Sequence, residues 1–131
     1  MNNELLPVYR DYLACLNERR WDDLGRFVAE DVVYNRKPIG LSGYRAMLEA
    51  DVAVTPDLEF VPEILLADDR VVSCRLFFRC TPQQALLGIE PTGRRVSFPE
   101  HVFYAFADRR IVEVWSVIDK ETIREQLSEE L

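Results

Sequence analysis

Two ionisable residues lie side by side in a segment that otherwise has the apolar composition of a β-strand. Glu100 and His101 interrupt the run VSFPEHVFYAF, and His101 is the single histidine of the chain. Charged side chains are seldom buried unless they are paired or take part in chemistry. A carboxyl group in an apolar pocket has a raised pKa, which suits it to proton transfer near neutral pH. Glu100 and His101 are therefore the first candidates for acid/base catalysis.

Only one of the two side chains can face a pocket, because successive residues of a strand point to opposite sides of the sheet. If Asp108–Arg109 is a two-residue turn, His101 lies opposite Ser116 on the next strand. If the turn has three residues, Val102 lies opposite Ser116 and Glu100 shares that face. The two turns thus predict opposite roles for Glu100 and His101.

The turn sequence favours the second arrangement. ADRR contains no glycine, which argues against a tight type I′ turn, although Pro99 within the strand is a common sign of a β-bulge that would change the register. We expect Glu100 to face the pocket and His101 to lie on the other side, at a subunit interface or against a helix. The alternative for Glu100 is a structural ion pair with an arginine of the sheet, namely Arg75, Arg79 or Arg94.

Other polar and aromatic residues lie close by in the same two strands. Asp119 supplies a further carboxyl group, although DKETIREQL also predicts that its side chain caps the following helix. Ser116 lacks the G-x-S-x-G pattern of a nucleophile, so we interpret it as a pocket-lining hydroxyl. Trp115 is expected in the core or stacked on a ligand ring. Val102 and Tyr104 would line the pocket and desolvate its carboxyl group.

Hydrophobic periodicity predicts the elements that position these residues. Apolar residues three and four apart predict a helix from Leu5 to Leu16, and a second short helix fits WDDLGRFV. Ser42 is a candidate N-cap for a third helix, which ends at Thr55–Pro56. The period then changes to two, which predicts strands at LEFVPEILLA, VVSCRLFFRC, RRVSFPEHVFYAF and RIVEVWSVID. KETIREQLSEEL is predicted to form the last helix.

Helices followed by an antiparallel sheet predict an α+β fold with the N-terminal helices covering one face of the sheet. No repeat or linker divides the chain, so residues 1–131 are expected to form a single domain. The last two strands carry large apolar side chains on both faces. The face that the helices leave open therefore needs a cover as well, and a partner subunit in a homodimer is the simplest one.

Composition excludes several classes of function. Acidic residues outnumber basic ones 23 to 16, which argues against nucleic acid and anionic membranes as partners. No apolar run approaches membrane-spanning length, and the N-terminus has no signal-peptide pattern. The 3 cysteines and 1 histidine form no ligand-spaced cluster. We therefore expect reduced core cysteines, a cytoplasmic location, no metal and no nucleotide cofactor.

Four stretches of the chain carry a family resemblance: YNRKPIGLSGYRAML, TPDLEF, LLGIEPTGRRV and YAFADRRIVEVWSVID. They span most of 34–119 and resemble the SnoaL-like polyketide cyclases and predicted ester cyclases of the nuclear-transport-factor-2-like superfamily. The resemblance implies a cone-shaped barrel, in which helices pack over a strongly curved antiparallel sheet and enclose an apolar pocket. It also implies a dimer joined through the sheet.

Polyketide cyclases of this kind look like cofactor-free enzymes that close a ring by an intramolecular aldol reaction. The resemblance implies a carboxylate on the last strand and a histidine opposite it, but Ser116 and Val102 occupy those positions here. Pro82 stands where related ester cyclases often have a histidine. The resemblance also makes Tyr34 and Asn35 candidates for binding the substrate, with an ordinary turn as the alternative.

Two functions are compatible with this sequence. The first is a small cofactor-free cyclase, isomerase or dehydratase for a hydrophobic carbonyl compound, with Glu100 as acid/base and His101, Ser116, Tyr34 or Asn35 orienting polar atoms. The second is a non-catalytic module that binds an apolar small molecule or a protein partner, which Ser116 in place of the cyclase carboxylate favours. The fold itself does not decide between them, because this scaffold hosts unrelated activities.

Overall fold

Helices of the chain pack against a five-stranded mixed sheet in the computed structural model, which describes residues 4–127. A 3-10 helix at Trp21–Arg26 follows the first α-helix. The strands are arranged in the order β1-β5-β4-β3-β2. In chain order the elements are α1 (Leu5–Asn17), the 3-10 helix, β1 (Val28–Tyr34), α2 (Gly40–Val54), β2 (Val61–Ala67), β3 (Val71–Cys80), β4 (Val96–Ala107), β5 (Arg110–Ile118) and α3 (Lys120–Leu127).

The N-terminal helix buries the apolar stripe that its spacing predicts. Tyr9, Tyr12 and Leu16 are among its most deeply buried side chains. Helix α1 packs against β2 and β3, and α2 packs against β1. Helices α1 and α2 thus cover one face of the sheet, which we call the inner face, and the predicted α+β class is confirmed.

The first strand, β1, is absent from the sequence-based prediction and makes the sheet mixed rather than antiparallel. It runs parallel to β5, and its register shifts between Val28 and Val33. Two adjacent acidic residues, Glu30 and Asp31, break the apolar–polar alternation at its centre. A strand that is irregular and short of apolar residues lacks the period-two signal on which the prediction depends.

Alternation along β3, β4 and β5 separates two kinds of surface. Inner-face residues of β3, including Cys74 and Leu76, are buried, whereas their neighbours Arg75 and Phe77 reach the opposite, outer face. The 3 cysteines are free and buried, as their pattern predicts. On β4 the even-numbered positions face inwards, which gives Glu100 the inner face and His101 the outer one.

The register of β4 and β5 arises from a turn and a bulge. Ala107 pairs with Arg110, so the turn is Asp108–Arg109, and both residues have positive φ, 50° and 65°. The expectation of a three-residue turn is therefore wrong, because these two non-glycine residues adopt the left-handed conformations of a type I′ turn. Val112 is then skipped as a β-bulge. The bulge restores Val102 opposite Ser116, the register that we expected for a different reason.

The boundaries of two helices differ from the prediction. Helix α2 begins at Gly40, so Ser42 lies inside it and is not the N-cap. Gly40 has a φ of +69°, which a non-glycine residue rarely adopts, and this sharp entry replaces a side-chain cap. Helix α3 is described to Leu127, and the remainder of the predicted segment lies outside the described residues. Within residues 4–127, no helix has the length and apolarity needed to cross a membrane.

Candidate functional site

A cavity of about 60 Å³ lies between the end of α2, the strands β3 and β4, and the connection between them. Its wall is mostly apolar, with three phenylalanine rings in consecutive contact: Phe60 and Phe78 meet edge to face with centroids 5.5 Å apart, and the Phe78–Phe98 centroids are 5.2 Å apart. Three polar side chains interrupt this lining. They are Asp51, Thr55 and Glu100.

Glu100 enters the cavity from the inner face of β4. Ser116, on the adjacent strand, donates a hydrogen bond from its Oγ to Glu100 Oε2. Burial raises the pKa of Glu100 to about 7, and the Ser116 hydrogen bond offsets part of that rise. A carboxyl group that titrates at this pH can both give and take a proton under physiological conditions.

No arginine of the sheet neutralises Glu100, so the structural ion pair considered from the sequence is not formed. Arg75 lies on the outer face, where its Nε is 2.5 Å from Glu63 Oε1. Arg79 stacks over the ring of Phe77, with 5.0 Å between the guanidinium carbon and the ring centroid. The period of two places these cations and Glu100 on opposite sides of the sheet, which leaves the carboxyl group without a compensating charge.

Asp51 and Thr55 were not identified from the sequence. Burial raises the pKa of Asp51 to about 6, although the residue remains exposed at the cavity mouth. Thr55 is 1% exposed, and within residues 4–127 its Oγ1 is the one buried side-chain oxygen or nitrogen without a hydrogen-bond partner. The signal that could have found them is their spacing of four at the end of a helix, which places both on one side of α2.

Buried tyrosines fill the interior of the fold next to Glu100. The hydroxyl of Tyr9 donates to that of Tyr104 across 3.3 Å, and the hydroxyls of Tyr12 and Tyr44 are 2.7 Å apart. Burial raises the pKa of all four, and the charge of Glu100 adds to the rise for Tyr12, Tyr44 and Tyr104. Tyr104 and Val102, which the sequence assigned to the pocket lining, belong to this packed interior.

Tyr34 and Asn35 lie at the end of β1, beside Ser116. Burial raises the pKa of Tyr34, and a hydrogen bond with Ser116 lowers it in part. The Asn35 side chain binds the backbone of Ser116 twice: Oδ1 accepts from N at 2.8 Å and Nδ2 donates to O at 3.2 Å. Asn35 therefore holds β1 against β5, while Tyr34, Ser116 and Glu100 form one polar cluster.

His101 lies on the outer face, apart from the cavity. Its Nε2 is 2.5 Å from Arg75 Nη1 and accepts a hydrogen bond from the guanidinium, which has donors only. A depression of about 740 Å³ lies there, with Arg75, His101 and Asp119 in its wall. It is wider than the cavity around Glu100, but Arg75 is paired with Glu63 and His101, and Asp119 is bonded to Thr122, whereas Glu100 has no compensating charge. We therefore place the candidate site on the inner face.

Two further candidates lie outside the cavity. Asp119 caps α3: its Oδ1 accepts from Thr122 N at 3.0 Å, and its Oδ2 accepts from the Thr122 hydroxyl at 2.7 Å. These bonds lower the pKa of Asp119. Trp115 lies on the outer face opposite Phe103 and is 40% exposed. Neither residue contacts the cavity around Glu100.

The described residues contain no cluster of three or more His, Cys, Asp or Glu side chains that could hold a metal ion. The polar groups of the cavity are two carboxyls and two hydroxyls, counting Ser116. Such a set can move protons and bind a carbonyl oxygen.

The sequence profile of the SnoaL-like polyketide cyclases matches residues 7–127. A SnoaL-like polyketide cyclase from Agrobacterium tumefaciens shares 48% identity and a TM-score of 0.92, with 97% of this chain and 99% of that one covered. AclR from Streptomyces galilaeus, a candidate hydroxylase, has 22% identity and a TM-score of 0.80, with 98% of both chains covered. IdmH from Streptomyces antibioticus, a candidate polyketide cyclase, has 21% identity and a TM-score of 0.84, with 96% and 99% covered.

No curated protein sequence matches the chain. The two Streptomyces structures are distant enough that they show a shared fold alone. The profile, in contrast, covers nearly the whole chain, and the Agrobacterium protein is similar in sequence as well as in structure. The chain belongs to the SnoaL-like polyketide cyclase family.

Proposed function

We propose that this protein is a cofactor-free acid/base enzyme that cyclises, isomerises or dehydrates a hydrophobic carbonyl compound, with Glu100 as the residue that transfers the proton. The observation that carries the proposal is the Glu100 carboxyl group, buried in an apolar cavity without a compensating cation, with its pKa raised to about 7. Structural carboxylates, in contrast, are held ionised by cations or backbone N–H groups. Family membership supports the same class of chemistry.

Each group of the polar cluster has a distinct task in such a reaction. Glu100 gives a proton to, or takes one from, the carbonyl compound, because neither of its protonation states is strongly favoured near pH 7. Ser116 holds the carboxyl group in one orientation through its hydrogen bond. Tyr34 lies against Ser116, beside the hydroxyl that binds Glu100. The apolar wall excludes water and so strengthens these interactions.

Deuterium exchange into a small apolar ketone tests the proposal. Cyclopentanone in D₂O loses its α-proton signals in the NMR spectrum as they are replaced, which reports proton transfer without knowledge of the natural substrate. We expect the protein to accelerate this exchange, and Glu100→Gln to reduce the acceleration by about 10²–10⁴-fold. The matched control is Glu113→Gln, which removes a carboxyl group from the neighbouring strand β5.

His101→Asn separates the two ionisable neighbours of β4. Loss of exchange in this variant, with full exchange in Glu100→Gln, would reverse the roles assigned here. Equal exchange in the wild type and Glu100→Gln would refute the proposed role of Glu100. Correct folding of each variant is checked by its circular dichroism spectrum.

A second function, binding of an apolar ligand without catalysis, is favoured by one observation. Ser116 and Val102 occupy the two positions at which the cyclases are expected to have a carboxylate and a histidine. A binding module would retain its affinity for an apolar ligand when Glu100 is replaced, and would never accelerate exchange. Affinity for cyclopentanone that is unchanged in Glu100→Gln, together with no exchange in the wild type, is the result that supports this alternative.

We also propose that two copies of the chain associate through the outer face. Phe103, Trp115 and Val117 are 51%, 40% and 71% exposed there and form one apolar patch across β4 and β5. Next to the patch, Arg75 and Glu63 supply charges of both signs. A surface that is apolar at its centre and carries both charges at its side is complementary to a second copy of itself.

A further inference from the structure

Two residues of helix α2 face Glu100 across the cavity. Asp51 lies in the last turn of α2, and Thr55, the residue directly after the helix, donates its backbone N–H to Asp51 O at 2.9 Å. Residues four apart on a helix lie on the same side. Both side chains line the cavity that Glu100 enters from the opposite wall.

The Thr55 hydroxyl is the part of this wall that the fold leaves unsatisfied. It is buried and has no hydrogen-bond partner among residues 4–127. A buried hydroxyl without a partner costs about 1–3 kcal/mol, so such groups usually have a role that outweighs the cost. Packing gives no reason for the oxygen, because valine has almost the same shape. A polar atom of a bound molecule would supply the missing partner.

Asp51 and Glu100 interact through their charges. The charge of Asp51 adds to the burial that raises the pKa of Glu100, whereas burial alone raises that of Asp51, because Glu100 is still protonated and neutral when Asp51 ionises. Asp51 is exposed at the mouth, so solvent screens it more than Glu100. We therefore treat the two carboxyls as a pair that titrates together, with Glu100 retaining its proton to the higher pH.

The other groups near the pair leave its proton balance unchanged at neutral pH. They are hydroxyls and a thiol whose pKa burial raises, so they stay neutral: Tyr12, Tyr34, Tyr44, Tyr104 and Cys74. No lysine, arginine or histidine within residues 4–127 contributes to the raised pKa of either carboxyl. Over the neutral range, the site therefore holds one exchangeable proton between two carboxyls.

We propose that Asp51 and Thr55 complete the site opposite Glu100: Thr55 binds the carbonyl oxygen of the substrate, and Asp51 transfers a second proton, to or from the carbon beside that carbonyl. This inference rests on the proposed acid/base function and identifies its substrate as a compound with an enolisable carbonyl group. A carboxylate on the reacting part of the substrate is disfavoured, because it would meet two carboxyls and no cation.

The step balances without a further reactant. Glu100 gives its proton to the carbonyl oxygen, whose C=O π pair forms the new O–H bond. Asp51, as carboxylate, takes a proton from the adjacent carbon, and the C–H pair becomes the C=C bond of the enol. The enol then returns the oxygen-bound proton to Glu100, and a carbon of the enol system takes a proton from Asp51. The net result is exchange or migration of one hydrogen, with both carboxyls restored.

Exchange kinetics with cyclopentanone in D₂O provide the first test. We expect Asp51→Asn to lower kcat by about 100-fold or more, because one of two transferring groups is lost. Glu49→Gln is the control, since it removes an exposed carboxyl group from the same helix, where it pairs with Arg45. Thr55→Val is expected to raise KM by roughly tenfold through the loss of one hydrogen bond, and to raise the urea midpoint of unfolding, because it removes an unsatisfied hydroxyl.

Carboxyl ¹³C NMR titration provides the second test and needs no substrate. Asp51→Asn should lower the pKa of Glu100, whereas Glu49→Gln should leave it unchanged. Glu100→Gln should leave the pKa of Asp51 nearly unchanged, because Glu100 is still neutral when Asp51 ionises. If the pKa of Glu100 does not respond to Asp51→Asn, the two carboxyls are not a pair and the inference is overturned. A lower pKa of Glu100 in Asp51→Asn supports the pairing even if the wild type fails to exchange cyclopentanone, an outcome that would count against the proposed function instead.

Failure of the proposed function and failure of the roles of Asp51 and Thr55 thus give different results. Full exchange in Asp51→Asn, with exchange lost in Glu100→Gln, overturns the role of Asp51 and leaves the proposed function intact. An unchanged KM in Thr55→Val overturns the role of Thr55. A Thr55→Val protein that is both less stable and unchanged in KM would show that the hydroxyl has a structural partner.

Discussion

The two faces of β4 present adjacent ionisable residues with opposite environments. On the inner face, Glu100 enters an apolar cavity, receives one hydrogen bond from Ser116 and has a pKa raised to about 7. On the outer face, His101 accepts from Arg75, which in turn binds Glu63. One residue of separation along the strand decides whether an ionisable side chain has a charged partner.

The difference shows how a sheet can produce a reactive carboxyl group without an unusual residue. Three arginines were considered as partners for Glu100 from the sequence. The structure shows that Arg75 and Arg79 are directed to the outer face by the pleat. Because the sheet separates the two faces, the Arg75–Glu63 ion pair on the outer face does not stabilise the ionised form of Glu100. Glu100 therefore lacks a charged partner on the inner face because the arginine side chains of β3 lie on the outer face.

The largest of the expected effects concerns the apolar patch on the outer face. Trp115→Lys places a charge within the exposed apolar patch, and we expect the dimer dissociation constant to rise by about 100-fold, as for a central interface residue. Sedimentation equilibrium measures this change. Asp11→Lys, on the exposed side of α1, is the control for an added lysine. A wild-type protein that is monomeric at micromolar concentration would refute the proposed dimer.

The next effect concerns the inner face and depends on pH. Burial raises the pKa of Glu100 from 4.5 to about 7 on folding, so the folded state binds this proton more tightly than the unfolded state. The resulting stabilisation is complete below pH 4.5 and is lost as the pH rises through 7. Relative to Glu100→Gln, the wild type should therefore lose about 2 kcal/mol of unfolding free energy between pH 5.5 and 8.5.

Urea unfolding of both proteins at the two pH values measures this difference. Glu113→Gln serves as the control, and its stability should follow that of the wild type at both values. Parallel pH profiles of the wild type and Glu100→Gln would mean that Glu100 is not desolvated in the folded protein.

A smaller effect concerns the hydrogen bond that Ser116 donates to Glu100. Its hydrogen bond with Ser116 lowers the pKa of the carboxyl group, so Ser116→Ala should raise that pKa further, by about one unit for a bond to an ionised group. Carboxyl ¹³C NMR titration measures the change. A pKa that falls instead would mean that Ser116 stabilises the protonated form.

The smallest effect concerns the turn between β4 and β5, which contributes to the pairing register of the two strands. Arg109 has a φ of 65°, which glycine adopts without steric cost, so Arg109→Gly should stabilise the protein by about 0.5–1 kcal/mol. The ion pair that it removes is weak, with 3.8 Å between Arg109 Nη1 and Glu4 Oε1. Thermal unfolding measures the gain. Arg110→Gly, one residue later in the strand, should destabilise the protein.

Much of the fold could be predicted because it depends on local patterns. The helix stripe of α1, the alternation of β3 and the capping role of Asp119 are all encoded within a few residues. The position of Glu100 was also predicted, but in part by compensation. The turn is shorter than expected by one residue, and the bulge at Val112 restores the same register. Nothing distinguishes Val112 from any other valine of a strand, so the sequence alone does not reveal that bulge.

The rest of the site depends on contacts that are distant in sequence. Asp51 and Thr55 look like the polar end of an ordinary surface helix until the connection before β4 brings Leu86 and Leu87 to the same cavity. Strand β1 was missed because Glu30 and Asp31 hide its alternation, although its end positions Tyr34 and Asn35 beside Ser116. Tyr34 and Asn35 were named through the family resemblance alone. Asp51 and Thr55 were missed although their helix was predicted, because only packing against distant segments gives them a place in the cavity.

The paired tyrosines beside Glu100 have a consequence for how this protein can diverge. Tyr12 and Tyr44 share one hydrogen bond, and Tyr9 and Tyr104 share another. Replacing one ring by a small apolar residue would create space for a longer ligand but leave the other hydroxyl buried and unsatisfied. Substitutions at the two positions of a pair are therefore epistatic: each is harmful alone and tolerated together. Changes in substrate size along this lineage should occur as double substitutions within a pair.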